Sequence, residues 1–117
     1  MKVESRDGPR DADFGPLYGK LSACYKASPH RAASEAVRVS LHMTVSTTGA
    51  VTTSATAALG HLVDQGQGRQ GYAFTGELSP NDDALSKCID EAAKTATVTV
   101  PETSRGTSFG ITVELSP

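Results

Sequence analysis

Two stretches of alternation constrain this chain more than anything else in it. Val37, Val39, Leu41, Met43 and Val45 alternate with Arg38, Ser40, His42, Thr44 and Ser46. A period of two puts the apolar set on one face of a strand and the polar set on the other. Thr47-Thr48-Gly49 then marks a tight turn, with Gly49 suited to a positive φ. Val51, Thr53, Ala55, Ala57 and Leu59 alternate again, with Thr52, Ser54 and Thr56 opposite. The two runs predict an antiparallel hairpin with one buried face.

Helical spacing appears on both sides of that hairpin. Leu85, Cys88, Ile89 and Ala92 fall at i, i+3, i+4 and i+7. Ser79 as N-cap and Pro80 at the first helical position predict a helix over Ser79–Lys94. Asp82 and Asp83 suit its positive end and Lys94 its negative end. Upstream, Leu17, Leu21, Cys24 and Tyr25 form a similar stripe, which predicts a helix from about Pro16 to Ala27, opened by Asp13 or Gly15 and blocked by Pro29. The only two cysteines both lie in these stripes. Their residue chemistry leaves two states open: a helix-to-helix disulfide, or two buried, reduced thiols. No base has a defined relation to either thiol, so neither reads as a nucleophile.

Downstream, Thr97-Val98-Thr99-Val100 has strand chemistry and ends at Pro101. Phe109, Ile111, Val113 and Leu115 alternate with Ser108, Gly110, Thr112 and Glu114 as a last strand. Residues 1–13 are charged and aperiodic and read as a flexible linker or tail. The domain is then residues 14–117. Gly60 to Glu77, rich in Gly and Gln, reads as a long loop, with Tyr72 and Phe74 two apart and so compatible with a short strand. The expected order is α-β-β-α-β-β. The expected fold is α+β, a two-layer sandwich with an antiparallel sheet of 3–4 strands and two helices packed on one face.

Several functional classes find no support. A net charge of −2 with mixed signs does not make a nucleic-acid surface. No apolar run approaches the ~18 residues of a membrane span. The N-terminus lacks the apolar core of a signal peptide, so an exported domain would belong to a longer protein. His30, His42 and His61 lack metal-ligand spacing and read as ordinary surface histidines, with no metal or cofactor expected. Gly66-Gln67-Gly68-Arg69-Gln70-Gly71 matches G-x-G-x-x-G but lies outside a strand-to-helix context. It reads as a mobile loop in which Arg69, Tyr72 and Phe74 suit partner contact. The hydroxyl-rich strand face reads as a solvated β surface, with glycan contact through Arg38, His42 and Glu114 as the sharper alternative. Paired carboxylates for glycoside hydrolysis are not apparent, and no catalytic residue is assigned.

Leu21-Ser22-Ala23-Cys24-Tyr25, Val37-Arg38-Val39-Ser40-Leu41, Thr48-Gly49-Ala50-Val51, Leu85-Ser86-Lys87-Cys88-Ile89 and Val100-Pro101 occur in an order that resembles the TonB-like C-terminal domain called AgmX/PglI, of myxobacterial envelope proteins. The resemblance covers roughly residues 16–115. The long Gly60–Glu77 connection and the stretch after Pro101 depart from that pattern. The resemblance implies a TonB C-terminal-like fold and a Cys24–Cys88 disulfide. It also implies a periplasmic, non-enzymatic domain of a longer membrane-tethered protein, working in energy-transduction or motility-type complexes. Its partner would be an envelope protein, supplied as an extended peptide or an outer-membrane component and bound at a sheet edge. The expected contact region is Thr97–Val100 and the last strand, through Ser108, Gly110, Thr112 and Glu114, with Arg69, Tyr72 and Phe74 from the loop. Two alternatives stand beside it. One is a small ligand-binding or enzymatic domain using the 60–77 loop as a lid over His61, Arg69, Tyr72 and Phe74. The other is self-association, as a homodimer, through the same edge.

Overall fold

A computed structural model describes residues 1–9 and 11–117. The alternating runs form β2 (Ala36–Val45) and the first part of β3 (Val51–Gly66), paired antiparallel from Ala36 opposite Gly60 to Val45 opposite Val51. Gly49 closes the turn at φ +92°, where a side chain would be strained. The last strand, β5 (Ser108–Leu115), pairs on the other side of β2, with Val37 opposite Leu115 and Met43 opposite Phe109. Val37, Val39, Leu41, Met43 and Val45 therefore share one face with Phe109, Ile111, Val113 and Leu115, and all nine are buried.

Two amphipathic helices cover that face. α1 (Gly15–Lys26) contributes Leu17, Leu21, Cys24 and Tyr25 to the core. α3 (Ala84–Thr95) contributes Leu85, Ile89 and Ala92. The chain is thus an α+β fold with helices on one side of an antiparallel sheet. A short α2 (Pro29–Ala32) follows α1, with the Ser28 hydroxyl accepting from the His30 N–H as its N-cap.

Besides the added α2, the elements differ from the expected ones in four places. Residues 2–7 are not a tail: they form β1 (Lys2–Asp7), antiparallel to β5. All six are exposed, so ladder hydrogen bonds hold the strand and no apolar period marks it. Gly60–Glu77 is not a loop. It supplies the end of β3 and most of β4 (Arg69–Leu78), joined by Gln67 and Gly68 at φ 55° and 74°. Two central residues with positive φ make the hairpin turn whose twist matches its strands. Thr97–Val100 is not a sheet strand. Only Thr99 bridges, to Asp13, while Val98 and Val100 rest against the core. The second helix begins at Ala84, not near Pro80. Asp83 is its N-cap, accepting from the Ser86 N–H at 3.0 Å. Ser79 instead caps the preceding turn, and the Ser86 hydroxyl donates to the Leu78 carbonyl at 2.9 Å, fastening the β4–α3 corner.

Among the described residues the sheet has five strands, in the order β1-β5-β2-β3-β4. Its edges are β1 and β4.

Candidate functional site

That order decides which residues can offer an edge. β5 lies between β1 and β2, so its backbone is paired on both sides. Ser108, Gly110, Thr112 and Glu114 cannot receive a partner strand, and they only line the sheet's outer face. This corrects the expectation that β5 and Thr97–Val100 form the contact edge. Arg69, Tyr72 and Phe74 do lie on an edge strand, β4.

The two edges differ. β1 carries Lys2, Glu4, Arg6 and Asp7 and a bulge between Val3 and Ser5. Charge and bulge both discourage strand addition. β4 has a bulge at Thr75, where Gly76 lies opposite Leu59 and Phe74 opposite Gly60. From Gln70 to Phe74 it carries no charged residue. Past Gly60, β3 has no β2 residue beside it, so the distal β3–β4 ribbon is two strands wide. Such a ribbon is marginal alone, and this one leaves Leu62 50% and Val63 37% exposed.

The outer face next to β4 is held by a chain of contacts across the sheet. Arg38 donates to Glu4 through Nε at 2.8 Å and Nη2 at 3.1 Å. The same guanidinium lies 4.1 Å from the centroid of the Phe74 ring. Beneath the ring is Gly60, where an added Cβ would stand 2.6 Å from a ring carbon. The Tyr72 ring is 6.3 Å from that of Phe74, tilted by 44°. Phe74 is therefore fixed, while β4's own edge stays open. The Arg38–Glu4 pair has no sequence signature, because no apolar period marks β1.

The lid arrangement over His61, Arg69, Tyr72 and Phe74 does not form. His61 turns to the helix side and meets Glu35 Oε2 at 3.1 Å through Nδ1, while Tyr72 and Phe74 lie on the outer face, and Arg69 sits at the hairpin tip.

A polar cluster that no motif announced lies beneath α3. His30 Nε2 meets Asp83 Oδ2 at 2.8 Å and His30 Nδ1 meets Glu35 Oε1 at 3.2 Å. His30 is thus not an ordinary surface histidine: it links α2, the N-cap of α3 and the approach to β2. Burial pushes its pKa down, but hydrogen bonds to Asp83 and Glu35 outweigh this and leave it raised. Burial raises the Asp83 carboxyl, and hydrogen bonds from His30 and the Ser86 N–H prevail to lower it. Among the described residues, no three His, Cys, Asp or Glu side chains converge to hold a metal ion.

Cys24 and Cys88 form a disulfide, with their Cα atoms 5.8 Å apart. It joins α1 to α3 and floors a shallow groove of about 360 Å³ lined by Ala23, Ala27 and Ala92 and rimmed by Lys20, Glu91 and Thr95. Among the described residues, no helix is long and apolar enough to cross a membrane.

No protein-family model, curated protein or solved structure matches the chain.

Proposed function

We propose that this chain is a non-catalytic protein-interaction domain of a periplasmic envelope complex, TonB-like in architecture and AgmX/PglI-like in family. It captures an extended partner segment at a sheet edge. The observation that carries this reading is the open β4 edge. It is ten residues long, uncharged from Gln70 to Phe74, and the outer strand of an incompletely supported ribbon. Strand addition supplies backbone hydrogen bonds for affinity, and alternate side chains such as Tyr72 supply selectivity. The Cys24–Cys88 bond supports the compartment, because disulfides persist where the surroundings oxidise. The energy-transduction or motility setting rests on the resemblance alone.

Selection of displayed random decapeptides on the oxidised protein tests the edge. Peptides with alternating side-chain preference should be enriched. Neighbouring residues of an edge strand point their N–H groups in opposite directions. Gln70→Pro and Gly71→Pro therefore include one variant that keeps the β3 ladder and loses an outward donor. That folded variant should lose peptide binding. Retained binding by both variants, or no enrichment at all, would sink the edge reading.

A further inference from the structure

The chemistry along β4 is self-complementary. Cross-strand partners share a face. Glu77 faces Ala58, which lies beside Arg38 on the outer side, and Phe74 faces Gly60, Tyr72 faces Leu62 and Gln70 faces Asp64. The bulge at Thr75 is what keeps Glu77 and Phe74 on one side. Reversing the strand about Ala73 then brings like faces together. Tyr72 falls opposite Phe74, Gly71 opposite Gly76, and Gln70 opposite Glu77.

We propose that the extended segment β4 accepts is β4 of a second copy of this chain. The two strands would run antiparallel about a twofold axis through Ala73, making one sheet continuous across both copies. This rests on the reading of β4 as an accepting edge and names its occupant.

Four observations favour a second copy over an unrelated strand. On the outer face, the pairing sets Tyr72 against Phe74 twice, once on each side of the axis, and cross-strand aromatic pairs stabilise sheets. Each row extends to the half-exposed Leu62, the β3 neighbour of Tyr72, so a surface left open by the two-stranded ribbon gains cover. On the helix side, the facing residues are Ala73 with Ala73 and Gly71 with Gly76, so nothing bulky separates the two bodies at the axis. Gln70 and Glu77, both exposed, meet as donor and acceptor at either end, where two like charges would repel. A twofold interface requires one surface to complement itself in this way. β1 does not compete for the role, since four of its six residues are charged and blunt it.

Sedimentation of the oxidised full chain across concentrations tests the proposal. The expected result is a reversible monomer–dimer equilibrium. Gln70→Glu sets two carboxylates against each other at both ends of the interface. It should weaken the dimer roughly tenfold, because like charges directly opposite destabilise a strand pair. Adding Glu77→Gln to the same chain should restore it. Gln70→Glu also faces Asp64 within its own chain, a contact that Glu77→Gln leaves unchanged, so the rescue isolates the interface, and an unrelated occupant would not show it. A chain that stays monomeric to millimolar concentration overturns the proposal, and if decapeptide selection still succeeds, the edge reading survives. A dimer indifferent to Gln70→Glu overturns it too, because association then uses another surface. Failure of both sedimentation and selection removes the edge reading as well.

Discussion

The Arg38 guanidinium stacks 4.1 Å from the centre of the Phe74 ring, and the ring in turn roofs Gly60. An aromatic over a cross-strand glycine compensates for the packing that glycine lacks. The cation above adds a stacking attraction that exposed sites support at about 0.5–1 kcal/mol. Phe74→Ala should therefore lower stability by about 1–3 kcal/mol, measured by urea unfolding. Gly60→Val should also destabilise by displacing the ring. In a Phe74→Ala background the same change should cost much less, because contacting residues are not additive. Additive effects would show that the ring does not depend on Gly60.

The disulfide joins positions 64 residues apart. On the chain-entropy model a loop of that length is worth about 4 kcal/mol. The Cys24→Ser/Cys88→Ser double variant should lose about 2–5 kcal/mol of unfolding free energy. The intact chain should take up thiol reagent only after reduction. Equal stability with and without reductant would remove the physical support for an oxidising compartment.

His30 between two carboxylates makes stability pH-dependent on both flanks. Its folded pKa is raised, so its contribution is full below the ordinary 6.5 and is lost as pH rises through the higher folded value. The Asp83 pKa is lowered, so its contribution is full above the ordinary 3.8 and is lost as pH falls through the lower folded value. The cluster therefore stabilises most between those two ordinary values. Because these groups keep contact with water, screening holds the gain to about 1 kcal/mol or less. His30→Gln should reduce stability at pH 5.5 and approach the parent above neutrality. A constant difference from pH 5 to 9 would refute the ion-pair account.

β1 guards the side of β5 away from β2. Deleting residues 1–7 strips that strand and also removes Arg6, which stacks 4.7 Å from Phe14. The truncated protein should be at least ~1 kcal/mol less stable and should bind an amyloid-type dye on standing, since the eight-residue β5, apolar on one face, becomes an edge. A flexible tail would give neither effect.

The legible parts of this fold are those where burial imposes a period. The alternation from Val37 to Leu59 and from Phe109 to Leu115 matches the paired strands because one face is buried and the other solvated. The stripes Leu17–Tyr25 and Leu85–Ala92 match the helices for the same reason. β1 and the distal β3–β4 ribbon are hard to read because they carry no apolar period. The side chains that hold them beside the backbone ladder meet partners distant in sequence, Glu4 at Arg38, Arg6 at Phe14 and Phe74 at Gly60. Thr97–Val100 misled in the opposite sense. Its alternate valines are half-buried, but the only backbone pairing there is to Asp13. β5 is the last strand in sequence but not in space, because β1 covers its outer side. Arg69, Tyr72 and Phe74, whose chemistry suits partner contact, lie on a true edge, whereas the His30 cluster has no sequence signature because Asp83 lies 53 positions from it.

Lys2 lies opposite Glu114, so the two ends of the chain leave from a single corner. β4 is the far border of the sheet, four strand spacings or roughly 19 Å away. Polypeptide fused to either end would emerge from the same side and leave β4 clear, as a lamp bracket keeps its stem behind the light. The same closeness makes the domain a candidate for circular permutation. A short linker between Pro117 and Met1, with new ends opened at Gln67–Gly68, should preserve the sheet order while moving the attachment point to the border that β4 occupies.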